Sequence, residues 1–194
     1  MSIKRALLKL AYPLYRILTK QFTERGKIAI NTSDNRPAIS FYSLSIRLNN
    51  GTFLQFDDLR GRKALIVNTA SDCVYTSQFA ALEQLYKHAG GRLLIIGFPS
   101  NDFNNQEPGT DNDIARFCER NYNISFPLAA KSHVTGSEKN AVYKWLTGEE
   151  KNGWNSREPV WNFSKYLVNE AGILTHYFGP SVTPAQVYHT AFEE

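Results

Sequence analysis

The sequence predicts an α/β fold, a mixed β-sheet flanked by helices on both faces, with a β-hairpin at its N-terminal end. Three observations carry that prediction. Two continuous apolar runs, ALIVNT (Ala64–Thr69) and LLIIGF (Leu93–Phe98), have the composition of strands buried on both faces. Each is followed by a stretch with apolar residues at helical spacing, the alternation that builds a sheet with covering helices. Further on, FSKYLVN and ILTHYFG turn at Glu170–Gly172 and read as an antiparallel pair that closes the sheet.

At 194 residues, with 42% hydrophobic and 13% aromatic side chains, the chain has the composition of one globular domain. Residues 1–27 form a basic amphipathic segment in which Ile3, Leu7, Leu10, Leu14 and Leu18 fall at helical spacing among Lys4, Arg5, Lys9, Arg16 and Lys20. Its longest uncharged run, Leu10–Tyr15, contains Pro13 and is too short for a membrane span or for the apolar core of a secretory signal. Residues 1–22 suit a helix lying on an anionic membrane surface; a helix docked on its own domain, a frayed tail and a cleaved transit peptide are the alternatives.

Residues 28–38 are polar, include Pro37 and lack periodicity, so they read as a linker. The domain, 39–194, opens with FYSLSIRL and TFLQF flanking Asn49-Asn50-Gly51, a hairpin whose glycine permits positive φ. A helix begins near Thr76 with Phe79, Leu82 and Leu85 as its apolar stripe. The next opens at Thr110 with Asp113 completing a capping-box pattern, and buries Ile114, Phe117 and Cys118. Ser137 is expected to cap a helix ending at Leu146, and Pro184–Phe192 forms the last one. The thioredoxin-like fold has this architecture.

The net charge of +4 is unevenly spread. Residues 1–27 carry seven Lys/Arg against Glu24 alone, so the remaining 15 basic and 17 acidic side chains leave the body at −2. A body of that charge argues against nucleic acid as a partner. Two cysteines, Cys73 and Cys118, are too few to staple a secreted domain, and with no secretory signal they favour a reducing compartment, the cytoplasm, with the inner face of a membrane as a place of attachment. His88, His133, His176 and His189 lack metal-site spacing and no phosphate-binding glycine loop occurs, so neither metal nor organic cofactor is expected.

Cys73 falls between the end of a buried strand and the start of a helix, where backbone N–H groups and the helix dipole stabilise a thiolate. A small buried hydrophobe is the plain alternative for a lone cysteine. NTASDCVYTSQFAALEQLY (Asn68–Tyr86) resembles the signature around the peroxidatic residue of the glutathione peroxidases. Two further blocks, GFPSNDFNNQEPGTDNDI (Gly97–Ile114) and WNFSKYLVNEAG (Trp161–Gly172), resemble that family's other motifs in the same order. The resemblance covers most of residues 39–194. It implies a hydroperoxide reductase with a catalytic tetrad of Cys73, Gln106, Trp161 and Asn162. Those types suit the chemistry, because a thiolate attacking an O–O bond needs donors that favour the anion and protonate the leaving oxygen, and amide and indole N–H groups do both near neutral pH. By themselves, Gln106 reads as a loop residue and Trp161 as core.

The family's thioredoxin-dependent members carry a resolving cysteine in a segment that ARFCERNYNISFP (Ala115–Pro127) resembles, and Cys118 occupies that position. The resemblance thus implies a Cys73–Cys118 disulfide reduced by thioredoxin or a similar dithiol protein, with local unwinding of the Cys118 helix. Cys118 as a buried stripe residue, with glutathione as reductant of a one-cysteine enzyme, is the alternative, as is a peroxide sensor that passes the oxidation to a partner thiol. Val74 stands where the family has glycine, Ser100 where many members have cysteine, and Asp102 where glutamine is usual; Asp102 would raise the Cys73 pKa if it lay close. The short polar stretch between Leu146 and Trp161 resembles the monomeric branch, which implies a monomer or weak dimer.

Overall fold

The computed structural model describes residues 25–193, so most of the basic amphipathic segment lies outside the described residues. In chain order the elements are β1 (Ile28–Ile30), β2 (Ser45–Arg47), β3 (Phe53–Gln55), β4 (Lys63–Thr69), α1 (Gln78–His88), β5 (Leu93–Pro99), α2 (Asp111–Tyr122), α3 (Ala141–Leu146), α4 (Glu149–Asn152), β6 (Lys165–Val168), β7 (Leu174–Phe178) and α5 (Pro184–Phe192).

The two apolar runs lie side by side as β4 and β5, parallel and in register from Lys63↔Leu93 to Thr69↔Pro99. The complete sheet has the order β1-β7-β6-β4-β5, with every pairing but β4–β5 antiparallel. Alternation along each strand supplies two cores. Leu65 and Val67 of β4 pack with Phe79 and Leu82 of α1, Ile114 and Cys118 of α2, and Val187 of α5. Ala64 and Ile66 face the other way, toward Phe41, Phe56 and the α3 residues Val142, Tyr143 and Trp145. Helices therefore cover both faces, as the alternation predicts. The β2–β3 hairpin forms its own two-stranded sheet, with Gly51 at φ +87° in its turn. Gly97 in β5 lets the backbone of Pro127–Ala129 pair alongside, since a Cβ there would come within 2.6 Å of Leu128.

The capping signal read for α2 acts locally, and α5 carries one not read from the sequence. Thr110 and Asp113 form a complete capping box, and Thr183 with Gln186 forms another behind Pro184 at the first turn of α5. Two readings need correction. Residues 28–38 are not simply a linker, because Ile28–Ile30 is β1, paired antiparallel with β7 from Ile28↔Phe178 to Ile30↔His176. It covers an edge that β7 would otherwise expose. The cap of α3 is Asn140 and not Ser137. Asn140 Oδ1 accepts from the Tyr143 N–H at 3.0 Å while its Nδ2 donates to Ser132 Oγ and His133 O, both at 3.1 Å, a set of bonds that fixes the helix start three residues later than expected.

Candidate active site

Because β4 and β5 are parallel and β6 runs against β4, the exits of the first two strands and the entrance of the third meet at one end of the sheet. Those connections carry the expected residues: Cys73 after β4, Gln106 after β5, and Trp161-Asn162 before β6.

Cys73 sits in the turn between β4 and α1, a free thiol partly exposed to solvent. Its N–H donates to Thr76 Oγ1 at 3.0 Å, and that hydroxyl donates to Ala70 O at 2.9 Å. The helix proper begins at Gln78, so Cys73 precedes the first turn, and its own N–H is committed to Thr76 instead of facing a ligand. The neighbouring Val74 is 80% exposed.

The turn is bonded to the Gln106 loop. The Asp72 N–H donates to Gln106 O at 3.0 Å, and Ser71 Oγ donates to Glu107 Oε1 at 2.7 Å. Glu107 is only 1% exposed, and burial pushes its carboxyl pKa up, against the lowering effects of Ser71 and the Lys131 charge. Gln106 Oε1 accepts from Asn162 Nδ2 at 2.9 Å. That bond uses the Gln106 amide oxygen as acceptor and fixes its side chain against Asn162.

The Trp161–Phe163 turn is held from several sides. Trp161 O accepts from Asn68 Nδ2 at 3.0 Å and Ser164 Oγ at 2.9 Å, and the Phe163 N–H donates to Asn68 O at 2.6 Å. Phe163 has φ +66°, a left-handed conformation that costs a residue with a Cβ about 1 kcal/mol. Its ring, fully buried against Phe79 of α1 at 5.3 Å, helps hold it there. The remaining tie is Lys165, whose Nζ donates to Phe163 O and Val182 O at 2.8 Å each. Lys165 is fully buried, and burial lowers its pKa to about 7. The Trp161 ring packs at 5.6 Å from Phe103.

Cys118 lies on the buried side of α2, 1% exposed and a free thiol. Burial first, and the Glu107 charge second, push its pKa up to about 12. Asp102 turns away toward the His133–Thr135 segment: its carboxylate accepts from the Val134 N–H at 2.7 Å and the Thr135 N–H at 3.0 Å, and His133 Nδ1 lies 2.6 Å from it. Those bonds lower its pKa against the opposing effect of burial and tie its charge to that segment. Ser100 is buried and accepts from the Asp102 N–H at 3.3 Å.

Sequence reasoning missed Asn68, Glu107 and Lys165. Asn68 lies inside a run read as apolar strand, and Lys165 reads as an ordinary polar strand residue; a polar side chain inside such a block is the only signal available in advance.

A thiol at the exit of an interior strand, paired parallel on one side and antiparallel on the other, is the arrangement of the thioredoxin-like fold. A solved crystal structure of Trgpx in its apo form superposes with a TM-score of 0.64 at 25% identity, over 80% of this chain and 95% of that one. Residues 41–147, more than half of the sequence, match the family model for glutathione peroxidase. The glutathione peroxidase-like peroxiredoxin GPX5 of Chlamydomonas reinhardtii is 41% identical over 148 residues, 76% of this chain and 91% of its own. The glutathione peroxidase-like peroxiredoxin gpx1 of Schizosaccharomyces pombe is 44% identical over 133 residues, 68% of this chain and 84% of its own. The chain belongs to the glutathione peroxidase family and is a peroxidase.

Proposed function

We propose that the chain reduces hydrogen peroxide and organic or lipid hydroperoxides with Cys73 as nucleophile, Gln106, Trp161 and Asn162 as donors, and Cys118 as resolving thiol. The observation that supports this reading is the Gln106–Asn162 hydrogen bond, which ties two of the neutral amides together on a loop bonded to the turn of a partly exposed thiol. The Cys73 thiolate attacks one peroxide oxygen. An S–O bond forms, the O–O bond breaks, sulfur is oxidised by two electrons, and the departing oxygen takes a proton to become an alcohol or water. Cys118 then displaces hydroxide from the Cys73 sulfenic acid, its own proton completing a water molecule, and a dithiol protein of the thioredoxin type returns both cysteines to thiols. The relatives' names, which class them as peroxiredoxins, support a thiol reductant. Neither a metal nor an organic cofactor enters this chemistry. Contact with a membrane surface rests on the basic amphipathic residues 1–22; among the described residues no helix is long and apolar enough to cross one.

The test is steady-state peroxide consumption with a thioredoxin system and with glutathione, for wild type, Cys73→Ser and Cys118→Ser. Thioredoxin-supported turnover lost in both variants is the expected result. Turnover with glutathione that survives Cys118→Ser would end the resolving role.

A second reading, a redox relay, is favoured by one observation. Cys118 is buried with a pKa near 12, so a Cys73 sulfenic acid would persist until α2 opens, long enough to meet a partner thiol. A Cys118→Ser variant that traps one specific mixed disulfide in place of turnover would select that reading.

A further inference from the structure

The guanidinium carbon of Arg25 lies 4.8 Å from the centroid of the Trp161 ring. Arg25 belongs to the basic N-terminal segment and precedes the region matched by the family model, residues 41–147. Its placement is nevertheless well anchored. Arg25 O accepts from the Ser181 N–H at 2.9 Å, Lys27 O accepts from the Gly179 N–H at 2.7 Å, and Ile28 then enters the register of β1 on β7. The same Gly179–Val182 stretch is tied to the Trp161 turn, because Lys165 Nζ bonds both Val182 O and Phe163 O. Gln78 Nε2, at the start of α1, bonds Pro180 O at 2.7 Å. Backbone bonds at the Arg25 end and side-chain-to-backbone bonds at the Trp161 end thus fix this contact on one frame.

A cation over an indole face is attracted by the negative charge of that face, and arginine keeps its charge at every pH the enzyme meets. Such a cation draws electron density from the ring, which makes the indole N–H a stronger donor, and it restricts the rotation of the side chain. Resting on the reading that Trp161 donates during peroxide reduction, we infer that Arg25 is a positioning residue of this site, supplied by the segment before the family-matched region, which holds the Trp161 indole and strengthens its N–H as donor to the reacting sulfur and oxygen.

The test uses the full chain and hydrogen peroxide, following Cys73 oxidation in a single turnover for wild type, Arg25→Gln, Arg25→Lys, Trp161→Phe and the Arg25→Gln/Trp161→Phe double variant. Arg25→Gln should slow the reaction about fivefold, the order expected for loss of one partly desolvated cation–π contact. Arg25→Lys should restore part of the rate. In the Trp161→Phe background, which has no indole N–H, Arg25→Gln should change nothing further, a coupling that a purely structural role for Arg25 would not produce. A wild-type rate in Arg25→Gln alongside a slow Trp161→Phe would overturn the Arg25 role alone. So would an equal loss from Arg25→Gln in both backgrounds. A wild-type rate in Trp161→Phe would overturn the donor role of Trp161 and the inference with it.

Discussion

Lys165 is a fully buried ammonium, and the carbonyls of Phe163 and Val182 offset only part of what its removal from water costs. Its pKa, lowered by burial from 10.5 to about 7, has a signed consequence. Below pH 7 the folded and unfolded chains both hold the proton, so the contribution is constant. Between about 7 and 10.5 the unfolded chain holds a proton that the native chain lacks, so stability from this group rises with pH. Replacing Lys165 by Met removes that linkage. In urea unfolding, the stability of wild type relative to Lys165→Met should grow from pH 7 to pH 9, on the order of 1 kcal/mol per pH unit. A difference that stays flat would show that Lys165 titrates as an ordinary lysine. The variant also frees Phe163 O and should slow peroxide reduction by loosening the turn that holds Trp161 and Asn162. Of the site, Cys73, Gln106, Trp161 and Asn162 are legible in the sequence through motif resemblance, since residue type and order suffice to mark them. Asn68, Glu107 and Lys165 are not, because each acts through bonds to residues far away in the chain, and only packing shows those.

At the scale of elements, α2 joins stability to chemistry. Its N-terminus is secured by the Thr110–Asp113 box and its C-terminus by Asn123 at φ +50°, with the Ile124 N–H returning to Cys118 O at 3.3 Å. Cys118 is thereby held on the core side, where burial both blocks access and keeps the thiol protonated. A disulfide needs the two Cα atoms within roughly 7 Å. Unwinding the second half of α2 would expose Cys118, lower its pKa and bring it within reach in one movement. Hydrogen exchange checks this: amides from Phe117 to Asn123 should lose protection when wild type is oxidised by peroxide, and keep it in Cys118→Ser. Equal protection in both would mean that Cys118 stays in the core and is structural. The elements that could be read beforehand carry a pattern: continuous apolar runs for β4 and β5, turn residues between β2 and β3 and between β6 and β7, and helical spacing for α1 and α2. β1 and α4 escape because their three or four residues have neither an apolar run nor a turn signal, and β1 is held by pairing with the edge of β7.

Over the whole molecule, charge is unevenly divided. The body from residue 25 onward, with 17 basic and 17 acidic side chains, is close to neutral and holds the candidate site, while residues 1–24 carry five Lys/Arg against Glu24. Residues 25–27 are bonded to the Gly179–Ser181 stretch and so belong to the folded body. Cutting before Arg25 should then separate the two: the shortened chain keeps the strand pairing of β1 and the contact of Arg25 with Trp161, and should reduce hydrogen peroxide at the rate of the full chain. Each basic residue near an anionic surface contributes about 1 kcal/mol, an attraction that salt screens. The full chain should therefore sediment with phosphatidylserine-containing vesicles at low salt and less so at high salt, while the shortened chain stays in solution. If both sediment alike, residues 1–24 do not bind the surface. If the cut instead lowers the melting temperature and slows the enzyme, those residues dock on the domain, and the basic stripe is solvent-facing charge on a structural element.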